Sequence, residues 1–183
     1  MVTVESGRKA VFDSPRHAPS PRIMTEPAND LLRSLTLAQG NNAFIQALGA
    51  EVIEAVSGRT TMRLPYCDKI VGNPDTGVVH GGVITGLLDH ACGMAVGSAL
   101  GVMVGDAPRL RSTSFATLDL RIDYLKAAKP GSDIFVIGEC VKITRQIVFA
   151  RGRAYQESVD DLIAAATGTF ILTELRPASD AQA

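Results

Sequence analysis

Three cysteines in 183 residues, an odd number at wide spacing, are too few for a disulfide framework. Cys67, Cys92 and Cys140 form no Cys-x-x-Cys pair and belong to no Cys/His cluster, so a zinc site is not expected either. Cys92 lies inside an apolar run, where a thiol is core filler rather than a nucleophile, and a reducing cytoplasm is the expected compartment. Basic excess is missing as well. Eighteen Lys and Arg against 19 Asp and Glu leave a net charge of −1, whereas a nucleic-acid partner calls for a basic surface. No lysine-rich tail offers attraction to a membrane surface. The opening segment MVTVESGRKAVFDSPRHAPSPR lacks a long apolar stretch followed by a small-residue cleavage site, so no signal peptide is expected.

What is present is an ordinary globular balance, 46% hydrophobic and 20% charged, in a chain long enough for one domain with a real core. Pro, Ser and Arg dominate from Ser14 to Arg22. The expected organisation is a flexible arm over 1–28, one domain over 29–176 and a short tail over 177–183. One apolar run, Val83 to Val104, is about long enough to span a bilayer. Asp89 and His90 interrupt it, and an aspartate at the centre of a spanning helix costs about 2.5–3.5 kcal/mol on the insertion scale. Its flanks also lack aromatic anchors. A helix wrapped by protein explains the composition better, and no membrane partner is expected.

Periodicity and turn chemistry divide the rest. Residues 29–39 read as a short helix, and Asn41 to Leu48 as another with Gly49 as its stop. Val52 to Val56 and Arg59 to Leu64 flank Ser57-Gly58 as a hairpin. Tyr66 to Val79, with Gly72-Asn73-Pro74-Asp75-Thr76-Gly77, is expected to be a loop. A long helix follows from about Gly81 to Leu100, then a second loop over 101–111. Strands are expected over 114–125, 133–144, 147–157 and 162–173. In the first, Phe115, Thr117, Asp119, Arg121 and Asp123 alternate against Leu118, Leu120, Ile122 and Tyr124. One long helix followed by hairpin-connected strands is an α+β pattern, with the helix packed on one face of an antiparallel sheet that curls around it.

The long helix carries the candidate chemistry. Gly82, Gly86, Asp89, Gly93 and Gly97 recur every three or four residues and share one face. Four glycines, each costing about 0.5–1 kcal/mol relative to alanine inside a helix, imply that something approaches closely: another subunit, a ligand, or both at an interface. A charge in so apolar a helix is expensive unless it is paired or faces a wet cleft, which makes Asp89 either a paired structural group or the reactive one. His90 points about 100° away from it. The helix is entered through His80-Gly81-Gly82, whose first amides have no internal acceptor and lie at the positive end of the dipole. Bare of side chains, Gly81 and Gly82 offer an oxyanion site there.

The segment HGGVITGLLDHACGMA resembles the phenylacetate-pathway (PaaI-type) branch of the hotdog-fold acyl-CoA thioesterases. FATLDLRIDYLKAAKPG is similar to that family's strand and turn after the helix, and GRAYQESVDDLIAAATGTFIL to its closing hairpin, so the resemblance spans Gly49 to Leu175. It implies a hotdog fold, a long central helix wrapped by a curved antiparallel sheet, in homodimers or homotetramers with active sites at the dimer interface. It also implies an acyl-CoA substrate, with coenzyme A part of that substrate, and neither a separate cofactor nor a metal. By the resemblance, Asp89 is the general base or nucleophile toward the thioester. The Gly81 amide polarises its carbonyl, and Gly82 is a candidate contact to the coenzyme A part of the substrate. His80 orients the site, Asn73 holds water or carbonyl, and Thr117 comes from the opposite subunit near the attacking water. Arg121, Lys126, Lys129 and Arg145 are candidate contacts to the coenzyme A phosphates. Val102, Met103 and Leu110 are candidates for an apolar acyl pocket. Two other readings remain open at this stage. One is a hotdog hydratase acting on an enoyl or hydroxyacyl thioester; the other is a protein that binds acyl-CoA without catalysis.

Overall fold

A computed structural model describes residues 42–104 and 113–174. The expected helix over 29–39, the arm, Leu110 and the tail lie outside the described residues. A short helix, α1 (Ala43–Leu48), opens them. Asn42 caps it by accepting the Ile45 N–H at 3.1 Å, and Gly49 closes it at φ +71°. Strands β1 (Glu51–Val56) and β2 (Arg59–Leu64) form the expected hairpin. After a single 3-10 turn (Asp68–Ile70) come two short strands, β3 (Val71–Asn73) and β4 (Val78–Val79), then the helix α2 (Gly81–Val104). Strands β5 (Thr113–Tyr124), β6 (Ile134–Ile143), β7 (Ile147–Tyr155) and β8 (Leu162–Glu174) follow.

Three expectations change. The segment before α2 is not wholly a loop: β3 and β4 pair, and only its tip keeps the Gly/Asn/Pro turn chemistry. Tyr66 Oη donates to the Gly77 carbonyl at 2.8 Å and the His80 N–H to the Ile70 carbonyl at 2.9 Å, which pins this small hairpin to the chain on either side. The helix also runs four residues past Leu100, to Val104. The third change, in β5, concerns the site.

The large sheet is antiparallel, in the order β1-β2-β6-β7-β8-β5, and α2 touches all six strands, so the sheet wraps the helix. Leu87, Leu88, Ala91, Cys92, Ala95 and Val96 are fully buried. That burial accounts for the apolar run without a bilayer. The approach is close because the middle strands carry glycine at the crossing. A Cβ on Gly138 of β6 would stand 2.1 Å from the Ala91 carbonyl oxygen, and one on Gly152, its partner in β7, 2.9 Å from Leu88 Cδ2. Ser98, buried in α2, accepts the Gly58 N–H at 3.0 Å and so ties the helix to the β1–β2 turn.

Strand β5 pairs with β8 throughout, with a register shift between Thr117 and Asp119. Leu118 is the extra residue, and such a bulge reverses the side-chain alternation beyond it. Phe115 and Thr117 therefore face the helix together with Leu120, Ile122 and Tyr124, while Asp119, Arg121 and Asp123 face away. Simple alternation had set Thr117 with Asp119 and Arg121.

Candidate active site

The helix start is built by hydrogen bonds within three residues. His80 is exposed, and its Nδ1 accepts the Gly82 N–H at 3.0 Å, making it the side-chain cap of α2; its carbonyl accepts the Val83 N–H at 3.0 Å. The Gly82 amide is thus occupied, contrary to the expectation that both helix-start amides are uncovered. The Gly81 N–H has no acceptor inside the helix, and no other acceptor takes it among the described residues. Gly72 of β3 packs so closely here that a Cβ on it would lie 2.8 Å from His80 Cα. Asn73 shapes its own turn: its Oδ1 accepts the Asp75 N–H at 3.0 Å and its carbonyl the Gly77 N–H at 2.8 Å.

Two turns along α2, Asp89 is half-buried, and Thr117 Oγ1 donates to its Oδ1 at 2.8 Å. Threonine and carboxylate belong to one chain, whereas the resemblance implies a threonine from the opposite subunit. The rest of the glycine stripe is occupied by aromatic rings. A Cβ on Gly86 would meet the Phe44 ring at 2.8 Å; on Gly93 and Gly97 it would lie 3.6 and 3.4 Å from Phe115. Phe115 packs edge-on against Phe170, centroids 6.2 Å apart. Asp89 therefore sits between two aromatic walls, Phe44 on one side and Phe115 on the other. Neither ring stood out in the sequence, because nothing in an i, i+4 glycine pattern says which distant residue fills it.

Burial sets the electrostatics around this carboxylate. His90 is held below the usual histidine value by burial, the Asp89 charge opposing the shift, and its Nε2 is buried without a hydrogen-bond partner among the described residues. Cys92 is fully buried, and its thiol is pushed up to about 12 by burial, with the charges of Asp89 and Glu139 adding to the effect. It is not a nucleophile near neutral pH.

The four candidate phosphate-binding cations are not gathered. Arg121 is on the outer face, bonded to Asp123 at 2.9 Å. Lys126 pairs with Asp161 and Lys129 with Glu157 at 2.6 Å, both beyond the end of β5 where α2 begins. Arg145, in the β6–β7 turn at the other end of the sheet, makes no ion pair among the described residues. A shallow pocket of about 410 Å³ opens on the outer face between Asp119, Val141, Phe149, Arg151, Thr167 and Thr169, across the sheet from Asp89. Among the described residues no three His, Cys, Asp or Glu side chains converge as a metal-ligand set.

One long apolar helix inside an antiparallel sheet, with a carboxylate on its open face and a glycine amide at its start, is the hotdog architecture. Residues 76–163 match the thioesterase superfamily. A medium/long-chain acyl-CoA thioesterase, YigI of Salmonella typhimurium, is 31% identical over 134 residues, 70% of this chain and 84% of that protein. A protein of Halobacterium salinarum named as an esterase is 36% identical over 90 residues, 49% of this chain and 55% of that one, so the match spans about half the relative's length. A solved Pseudomonas aeruginosa protein is 38% identical with a TM-score of 0.65, over 77% of this chain and 98% of that one. The Escherichia coli PaaI protein of the phenylacetic acid degradation operon shares the fold at 16% identity and a TM-score of 0.66, over 80% of this chain and 95% of that one. The chain belongs to the thioesterase superfamily.

Proposed function

We propose that the protein hydrolyses an acyl- or aryl-CoA to free acid and coenzyme A, as a homodimer whose two copies complete each active site. The observation that carries this is the separation of the two reactive groups along α2. Asp89 and the free Gly81 amide are eight residues apart, about 12 Å by helical rise, too far to act on one carbonyl. β5 offers the remedy. It is a 12-residue edge strand, paired on one side only among the described residues, with Leu118 59% exposed. Such an edge is a template for a second strand. In the chain α2 runs antiparallel to β5, since Phe115 meets Gly93 and Gly97 while Tyr124 meets Gly81. Pairing β5 with its copy about a twofold axis sets the two helices antiparallel, and brings the Gly81 of one toward the Asp89 of the other.

In this reading Thr117 holds Oδ1 of Asp89 and leaves Oδ2 for a water. Asp89 takes a proton from that water as its oxygen attacks the thioester carbon, a contribution of typically 10²–10⁴-fold. The negative charge that develops on the carbonyl oxygen is met by the Gly81 N–H at the positive end of the helix. The carbon–sulfur bond then breaks, the thiolate of coenzyme A takes the proton from Asp89, and the free acid leaves. The aromatic walls at Phe44 and Phe115 suit an apolar acyl or aryl group, and the similarity to YigI supports a coenzyme A thioester. Coenzyme A enters as part of the substrate, with Lys126 and Arg145 as the cations to test against its phosphates.

The test is thiol release from acetyl-, octanoyl- and benzoyl-CoA by wild type and Asp89→Asn. Turnover by wild type and a loss of at least about 10²-fold in the variant are expected. A variant as fast as wild type removes Asp89 from the chemistry. Thiol release from none of the three, with binding intact, removes thioester hydrolysis of these substrates from the protein's function.

A further inference from the structure

The helix start is held from a direction the sequence did not show. Tyr124, the last residue of β5, lays its ring on Gly81: a Cβ at position 81 would stand 3.1 Å from the tyrosine oxygen and 3.2 Å from Cζ. Its hydroxyl donates to the Gly81 carbonyl at 2.7 Å and lies 2.6 Å from Thr85 Oγ1. A carbonyl can only accept, so the tyrosine proton goes to Gly81 and the threonine proton to the tyrosine. The peptide between Gly81 and Gly82 is then fixed at both ends, its oxygen by Tyr124 and its N–H by His80 Nδ1. The preceding peptide, which carries the Gly81 N–H, is held by its own oxygen, the His80 carbonyl accepting the Val83 N–H at 3.0 Å, and the fixed plane after it limits how it can swing.

The geometry points to Tyr124 as a positioning residue for thioester hydrolysis: its hydroxyl aims the Gly81 amide at the carbonyl oxygen of the substrate. The inference rests on the reading of Gly81 as the oxyanion donor. It gives position 81 a second reason to be glycine, since the tyrosine ring fills the space a side chain would need. It also makes β5 the common support of both reactive groups, through Thr117 on Asp89 and Tyr124 on Gly81. Those two residues are seven apart, an odd number, so an unbroken strand would turn them to opposite faces. The bulge at Leu118 is what lets both reach α2.

The test uses the full chain and the panel substrate with the highest kcat/KM. Tyr124→Phe keeps the ring and removes the hydroxyl. A fall in kcat on the order of 10-fold is expected, with KM within about 2-fold and the thermal midpoint well above the assay temperature. Thr85→Val leaves the bond to Gly81 in place and is expected to lose less. Tyr124→Phe and Asp89→Asn chains, unfolded together and refolded, give mixed dimers with one site built from an intact helix start and an intact Asp89. Their activity is expected to exceed the sum of the two parents, which a general loss of stability would not produce. Wild-type kcat in Tyr124→Phe, beside an inactive Asp89→Asn, overturns the role of Tyr124 and leaves the site reading standing. A kcat loss that follows a thermal midpoint fallen to the assay temperature also overturns it. Full activity in Asp89→Asn overturns both.

Discussion

The long helix is approached from two sides, and the two sides use glycine in opposite ways. Toward the middle of the sheet the glycines belong to the strands. Gly138 and Gly152 are neighbours across β6 and β7, and they let the helix backbone at Ala91 and the side chains of Leu88 and Cys92 press against the strands themselves. Toward the open side the glycines belong to the helix, and each is met by the far end of a side chain: Phe44 at Gly86, Phe115 at Gly93 and Gly97, His80 at Gly82. Backbone cannot yield, whereas a ring can turn. The sheet side is therefore fixed and dry, and the open side, with Asp89 in its middle, is the adjustable one. The proposed site thus falls where packing is least rigid.

The sharpest way to break that contrast is to add one methyl group on the fixed side. Gly138→Ala would set a Cβ 2.1 Å from the Ala91 oxygen and 2.6 Å from the Cys92 nitrogen, so the helix must lift from the sheet along its buried face. Overpacking of this kind costs typically 1–3 kcal/mol and occasionally more, and the upper end is expected because both contacts are backbone. Denaturant unfolding measures it. A variant as stable as wild type would mean that helix and sheet are not in backbone contact.

Much of this architecture was legible in the sequence, and the failures share a cause. The α2 segment, the β1–β2 hairpin and the four long strands follow from apolar periodicity and turn residues, which are local signals. The helix-face placement of Gly82, Gly86, Asp89, Gly93 and Gly97 followed from spacing alone. The face assignment of β5 did not, because a bulge leaves no mark in an alternating stretch: Thr117-Leu118-Asp119 reads as regular strand until its partner β8 is known. Tyr124 was missed for the same reason, being set apart from Thr117 by simple alternation. Phe44 was missed because a contact between α1 and α2, 42 residues apart, has no local signature. Asn73 and the Gly82 amide were readable as residues but not as engaged ones, since a side chain's partner is a tertiary fact.

Adding the same methyl group on the open side should have the opposite sign. A Cβ on Gly93 would meet Phe115 at 3.6 Å and Phe170 at 3.7 Å, ordinary van der Waals contact. Alanine is favoured over glycine inside a helix by about 0.5–1 kcal/mol, so Gly93→Ala is expected to stabilise by up to that amount. The measurement is the same denaturant series. A loss in place of a gain would show that something other than Phe115 lies against this face, a second copy of the chain foremost.

The smallest expected effect probes the boundary between the two sides, where His90 follows Asp89. Burial holds His90 below its usual value in the folded protein, while in the unfolded chain it titrates near 6.5. Between those two values the unfolded state binds more protons, so stability rises with pH there. The contribution of a neutral His90 is present above about pH 6.5 and is lost as pH falls below it. Asp133 also sits below its usual value, held by the Tyr66 N–H at 2.9 Å and by Arg63, but its window lies lower, near and below the ordinary carboxylate range. The two are separable by where the slope appears. Thermal midpoints between pH 7.5 and 5.5 are expected to fall in wild type and to fall less steeply in His90→Gln, whose side chain does not titrate. Equal slopes would mean that His90 can take up a proton without leaving its place, and that the wet face of the helix extends one residue further round than the geometry of Asp89 alone requires.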